Sequence, residues 1–179
     1  MDSEVIIVGA GPTGLMLACE LGLAGVRPLV LERLPQIRDV PKAGGLSGQI
    51  LDLLRYRGDL ERFEAAGTAS IPAPRLPWGG MDVDFSQLAD PPMQVLPLPQ
   101  PHLERVLDEH ARELGAEIRR GQEVVGLSQD DDSVTADVRG PGRAVSVDRP
   151  LPRRMRRGRQ PGARPGRIPF PGITYLTPS

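Results

Sequence analysis

Cysteine is nearly absent from this 179-residue chain, which holds only Cys19. One thiol cannot close an internal disulfide, so a stapled extracellular scaffold is excluded and a cytoplasmic setting is expected. Cys19 sits beside Ala18 in a predicted helix and reads as core packing. Aromatic residues make up 3% of the chain and give no visible substrate box. No apolar run reaches the roughly 20 residues that span a bilayer. The N-terminus enters a predicted strand at once, so no signal peptide is expected. The two histidines, His102 and His110, are spaced too widely for a helical metal pair, and no cysteine or carboxylate cluster joins them. His110 reads as packed and His102 as exposed. Ser47, in Gly45-Leu46-Ser47-Gly48, does not make a nucleophile elbow. Nothing in the chain resembles a triad, and the catalytic residues stay unassigned.

What is present is concentrated at the start. Val5-Ile6-Ile7-Val8 is a continuous apolar run, expected to be a strand buried on both faces of a parallel sheet. Gly9-Ala10-Gly11-Pro12-Thr13-Gly14 follows. In such a turn Gly9 bends the chain, Gly11 admits a pyrophosphate and Gly14 lets the helix lie close to the strand. The helix start offers free N–H groups and the positive end of the dipole, an anion site. Pro12 fits the first helical position. Leu17, Ala18, Leu21 and Ala24 are expected to continue one helical face, with Gly25 as the stop. A second strand then ends in Glu32-Arg33. Glu32 stands 18 residues after Gly14, the usual place for the acid that accepts hydrogen bonds from a ribose. Strand, glycines, helix, strand and acid in this order predict a dinucleotide-binding βαβ unit. Glu32 suits NAD(H) as well as FAD.

Further along, Pro35 and Pro41 bracket a loop over 36–42. Leu46, Ile50, Leu53 and Leu54 predict a helical stripe that ends before Gly58, and a short helix runs from about Asp59 to Ala66. The segment 71–80, with Pro72, Pro74 and Pro77, reads as a loop or irregular edge. Residues 81–85 alternate like a half-exposed strand, with 94–98 as its expected partner. Pro101 opens a helix bearing Leu103, Val106, Leu107, His110 and Leu114 on one face, stopped by Gly115. Residues 117–119 make a further strand, possible in the parallel sheet. Segments 123–127 and 134–138 form a hairpin across Asp130-Asp131-Asp132, which reads as a solvated turn because it lacks the spacing of a calcium loop. Val145 and Val147 add one more strand. Gln100, between two prolines, reads either as a simple helix cap or as a side chain aimed at a ligand.

Three stretches together resemble the FAD-dependent class A aromatic hydroxylases, above all the bacterial ones acting on polyketides and other polycyclic phenols. They are Val8 to Ala18 with Val30-Leu31-Glu32-Arg33, Pro41 to Leu46 with Arg57-Gly58, and Leu98-Pro99-Gln100 with Leu103-Glu104 and Leu114 to Glu117. Lys42 stands where the family usually has arginine, and a lysine cannot offer the bidentate fork to phosphate. The resemblance implies an α/β fold: a Rossmann-like FAD-binding domain, its parallel sheet flanked by helices and joined by a β-hairpin or meander. It implies FAD as cofactor, NADPH or NADH as reductant, and a small aromatic substrate with O2 as partners. Nucleic acid and membrane are not expected partners. It implies Gly9, Gly11, Pro12, Thr13, Gly14, Glu32, Arg33, Lys42 and Gln100 as the cofactor-binding residues, with Gln100 approaching the ribityl chain. The flavin would activate O2 and pass one oxygen atom to the ring. Family members run to several hundred residues, so the chain is expected to be truncated: 1–148 as the N-terminal part of the FAD-binding domain, 149–167 as a separate tract, and 168–179 as the start of a further segment. The alternatives are an NAD(H)-binding module and an inactive fragment.

The tract is unusual. Ten arginines and one acid, Asp148, fall between Arg139 and Arg167, so the rest of the chain is acidic overall. A basic arm for nucleic acid is one reading, and the lack of interleaved aromatics argues against it. The other is a shifted reading frame over 149–167. Met155 has one codon, and reading from its second base gives cysteine if an Arg156 CGN codon follows. Permitted third bases around it then give the Gly-Cys-Asp-Gly turn that the family carries after such a hairpin. On that reading the tract is poorly packed instead of forming a strand and turn.

Overall fold

The computed structural model describes residues 5–40, 42–73, 75–88, 93–129, 133–140 and 145–150; at 76–78, 129 and 145–150 only the backbone is described. Strand β1 (Ile6–Val8) leads into helix α1 (Pro12–Leu23), which returns to strand β2 (Leu29–Glu32). β2 lies parallel to β1 on one side and to β8 (Glu117–Arg120) on the other. Helix α4 (Gln100–Glu113) precedes β8 and packs beside α1. The apolar face expected after Pro101 is buried, with His110 buried and His102 exposed.

Period-two alternation divides the sheet between two layers. Ile7, Val30 and Ile118 point to one side and join Leu15, Ala18, Cys19, Leu103, Val106, Leu107 and Ala111 from the helices. Leu29 and Leu31 point to the other side and meet Ala136 and Val138. Those two come from an antiparallel meander of β9 (Glu123–Gln129), β10 (Ser133–Arg139) and β11 (Val145–Pro150). The structure is thus helices, parallel sheet and meander in three layers.

Several expectations change. β2 is buried along Leu29 to Leu31, but β1 is not buried on both faces: Val8 is 59% exposed. β1 is an edge strand, and the meander reaches Ile6 while Val8 stays exposed. In α1 the inward face is Leu15, Ala18 and Cys19, while Leu17 and Ala24 face outward. The helix is apolar all round, so periodicity alone could not choose its face. Gly22 fixes the choice, since a Cβ there would stand 2.6 Å from the Leu114 Cβ.

Helix α2 (Gln49–Arg57) begins after a short strand, β3 (Gly45–Ser47), which takes Leu46 out of the expected helical stripe; Leu53 is exposed. A short helix, α3 (Leu60–Ala65), follows and buries Phe63. The segment expected as a loop or irregular edge contains two short strands, β4 (Ile71–Pro72) and β5 (Arg75–Trp78). β5 pairs with β6 (Met81–Asp84) across Gly79 and Gly80, both at positive φ. Two left-handed residues make the tight turn that matches strand twist. The prolines suggested a loop, yet proline is tolerated on edge strands. β6 is fully exposed rather than half-exposed. Its partner is not 94–98: β7 (Gln94–Pro97) pairs instead with β3 and β4. The first two residues of the arginine tract, Arg149 and Pro150, belong to β11 and pair with Val134 and Ser133. The rest of the tract and the turn at 130–132 lie outside the described residues.

Candidate functional site

The carboxyl ends of β1 and β2 meet the start of α1. Gly9 turns the chain at φ +102°, and its N–H donates to the Leu31 carbonyl at 2.8 Å. A Cβ on Gly14 would lie 2.1 Å from the Gly9 carbonyl oxygen, so only glycine permits this approach. A Cβ on Gly11 would meet nothing within 4 Å, although Gly11 lines a cleft. That space is open to a ligand. No side chain caps α1, and no acid stands in its first turn. Its first N–H groups are therefore offered to an anion.

Glu32 closes the turn from the other side. Its Oε2 accepts from the Ala10 N–H and its Oε1 from the Leu34 N–H, both at 2.8 Å. Each carboxylate oxygen keeps a second acceptor direction for a hydroxyl. The acid therefore ties the glycine turn to the end of β2 as well as facing the cleft.

The cleft holds about 290 Å³. One wall is the start of α4, with Gln100 and Glu104 at four-residue spacing; Asp108 continues that ridge behind the lining. The Gln100 Nε2 donates to a Glu104 carboxylate oxygen at 2.7 Å. Asp108 holds Arg120, whose Nη2 donates to it at 2.7 Å; both side chains are largely buried. Arg120 stands directly beside Glu32 in the register of β8 on β2. The β3–β7 ladder continues through Leu98 N–H to the Gly44 carbonyl and Gln100 N–H to the Ala43 carbonyl, which brings Lys42 to the same cleft. Arg33, Arg38 and Lys42 are exposed cations at its mouth.

Of the expected site residues, Gly11, Glu32, Arg33, Lys42 and Gln100 line this one cleft. Gly9 and Gly14 shape the turn. Pro12 and Thr13 border a separate apolar hollow of about 210 Å³ with Met16, Ile50 and Phe63. Gln100 is the first residue of α4, and no side chain caps that helix, so its role is not a cap. Arg120 and Glu104 line the cleft as well, though neither was expected among the cofactor-binding residues. Their signals were the strand register opposite Glu32 and the spacing of four from Gln100. The donor set fits a dinucleotide: helix N–H groups and cations for a diphosphate, a carboxylate for a ribose. Past Arg33 and Leu34 a second hollow of about 430 Å³ continues toward Gly121 and Arg139. Among the described residues no group of three potential metal ligands exists. Outside the cleft, burial pushes the Cys19 thiol up to about 11, with Asp59 and Glu20 adding to the rise.

Residues 2–148 match the family described as FAD binding domain. The chain is 47% identical over 153 residues to the 12-dehydrotetracycline 5-monooxygenase/anhydrotetracycline 6-monooxygenase of Streptomyces rimosus, covering 83% of this chain and 29% of that protein. It is 40% identical to the rifampicin monooxygenase of Rhodococcus hoagii, covering 76% of this chain and 28% of the other. The structure of OxyS anhydrotetracycline hydroxylase from Streptomyces rimosus superposes with a TM-score of 0.73 at 43% identity, over 83% of this chain and 30% of that one. The chain thus spans under a third of the length of each of these relatives.

Proposed function

This chain belongs to the FAD-binding domain family, and on that footing we propose that it holds FAD as part of an NAD(P)H-dependent monooxygenase acting on an aromatic, polyketide-like or phenolic ring. The observation that carries the reading is the cleft itself: an uncapped helix start behind an open Gly11, with Glu32 and Gln100 on facing walls. Gly9, Gly11 and Gly14, with Pro12 and Thr13 at the helix start, let the backbone receive the diphosphate. Glu32 accepts from ribose hydroxyls. Arg33 and Lys42 balance phosphate charge as point contacts from the rim. Gln100 faces the sugar-alcohol part. A bound flavin would supply the redox chemistry, with NADPH or NADH as reductant and O2 as the oxygen donor. The chain's own part is to bind, orient and shield that group. The aromatic substrate is argued from the relatives, whose names describe monooxygenases of tetracycline precursors and rifampicin.

Fluorescence titration of the purified chain with FAD, beside NADH, tests this. Saturable quenching of flavin fluorescence that NADH does not displace is the expected result. Tight NADH binding without FAD uptake would favour a plain NAD(H) module. A reducing, cytoplasmic setting suits a chain whose single thiol is buried.

We also propose that the region to about residue 148 is the FAD-binding unit, and that 149–167 is read in a shifted frame. Resequencing the gene decides this. A single base gained or lost near each end of the tract is expected, and an unbroken frame across it would end the idea.

A further inference from the structure

We propose that Glu104 is a positioning residue that sets which end of the Gln100 amide meets the ligand, and so makes this part of the cleft selective for a hydroxyl donor. The inference rests on the reading of the cleft as an FAD site and goes one step beyond it.

The Gln100 side chain lies 2.7 Å from a Glu104 carboxylate oxygen. An ionised carboxylate only accepts hydrogen bonds, so the amide atom facing it must be the NH2 group. The amide oxygen is thereby turned away from Glu104 and left free for a ligand in the cleft that both residues line. An exposed amide would present either end with equal ease; this one is held by a bond to a charged acceptor, stronger than a neutral one. The end it offers accepts a proton. A phosphate has none to give, whereas a polyol hydroxyl has.

The helix sets the place along the ligand. Gln100, Glu104 and Asp108 follow one another at four-residue spacing, and Asp108 holds Arg120 beside Glu32. Gln100 is therefore about 12 Å along the axis from the Asp108 level, at 1.5 Å per residue. Glu32 reads one end of a dinucleotide and Gln100 reads the other.

Glu104 is an odd residue for an anion site. Its charge repels a diphosphate, so on electrostatics alone its removal should tighten binding. Positioning predicts the opposite for any ligand that reaches Gln100. This difference in sign makes the test.

The experiment measures FAD and ADP affinity for the full chain and for Glu104→Ala, Glu104→Gln and Gln100→Ala. FAD affinity should fall about five- to tenfold in Glu104→Ala, the order of one hydrogen bond. It should fall by less in Glu104→Gln, about twofold at most, since that amide can still accept from Gln100 but can also donate to it and so leaves both orientations open. ADP, which lacks the distal polyol, should bind Glu104→Ala as well as or better than the unaltered chain. Gln100→Ala should lose FAD affinity by the same factor as Glu104→Ala, and the double variant should lose no more. Equal or tighter FAD binding by Glu104→Ala would overturn the inference while leaving the FAD site intact. An equal loss of FAD and ADP would overturn it too, as a general structural defect. If the unaltered chain takes up neither ligand, both this inference and the reading it rests on fall.

Discussion

The βαβ unit from Val5 to Arg33 and the hairpin of β5 and β6 are both built on glycine turns, yet they carry very different weight. In the first, Gly14 sits where a Cβ would strike the Gly9 backbone oxygen, and the turn places a helix against a buried strand. In the second, Gly79 and Gly80 only need positive φ, with open space around them, and the β6 strand is exposed. A glycine demanded by contact couples a turn to the core. A glycine demanded by dihedral alone shapes a turn that the core does not need.

The comparison breaks most directly at Gly14. Gly14→Ala puts a methyl group 2.1 Å from a carbonyl carbon's oxygen that cannot move without moving Gly9 and β1. The expected cost is at or above the upper end of the about 1–3 kcal/mol typical of overpacking. Urea unfolding followed by circular dichroism measures it, and FAD uptake should be lost at the same time. A midpoint shift no larger than that of a hairpin variant would abolish the distinction between the two turns.

Glu32 gives the next largest effect. Glu32→Ala leaves the Ala10 and Leu34 N–H groups without their acceptors, so stability should fall by about 1–3 kcal/mol even with no ligand present. FAD affinity should fall at least tenfold as well, since a charge-assisted bond to a ribose is worth about 1.5–3 kcal/mol. Glu32→Gln is the sharper variant. Its single amide oxygen can accept from one of the two N–H groups, so the stability loss should be intermediate. An alanine variant as stable as the unaltered chain would mean that the two backbone bonds contribute nothing net.

What could be read from the sequence follows the same division. The βαβ unit was legible because each of its signals is local: an apolar run, glycines at fixed spacing, and an acid 18 residues on. Helix α4 was legible because it is amphipathic, unlike α1, whose inward face needed Gly22 and Leu114 to fix it. The pairing of the strands from 71 to 97 was misread for a different reason. Short strands choose partners far away in sequence, and β7 is drawn to Gly45–Ser47 instead of to the neighbouring β6. Prolines at Pro72 and Pro77 masked two edge strands. In the cleft, the residues contributed by the local motif and by Pro99-Gln100-Pro101 were legible. Arg120 was not, because only the register of β8 on β2 brings it beside Glu32.

Cys19 probes the inside of the first region by pH. Its thiol lies between α1 and α4 and donates to the Leu107 carbonyl at 3.8 Å. Burial raises its pKa from 9.0 to about 11. The unfolded thiol loses its proton near pH 9, while the folded one keeps it to about pH 11. The stability tied to this group is therefore whole below pH 9 and is lost as pH rises from 9 to 11. Urea midpoints at pH 8 and pH 10 should fall more for the unaltered chain than for Cys19→Ala, which has nothing to titrate there. Parallel slopes would show that the thiol reaches water in the folded state.

The smallest effect is expected in the hairpin, and it is the one that completes the contrast. Gly80 has φ +83° with no atom near its missing Cβ, so Gly80→Ala meets strain and no clash. Holding an L-residue in that region costs about 1–2 kcal/mol. Whether that cost reaches the whole molecule depends on how the hairpin is held. β5 and β6 pair in a two-stranded sheet of their own, Met81 is 68% exposed and Val83 40%, and the Arg75–Asp84 ion pair is solvent-exposed at 3.4 Å. Such a unit opens locally before the core does. Hydrogen exchange in the folded state should therefore show faster exchange across Arg75 to Asp84 in the variant, with the amides of α1 and β2 unchanged. The global urea midpoint should stay within about 0.5 kcal/mol of the unaltered chain, as for surface changes in general. A matching acceleration in β2 would mean that the hairpin unfolds with the core. The two glycine turns would then belong to one cooperative unit in spite of their different contacts.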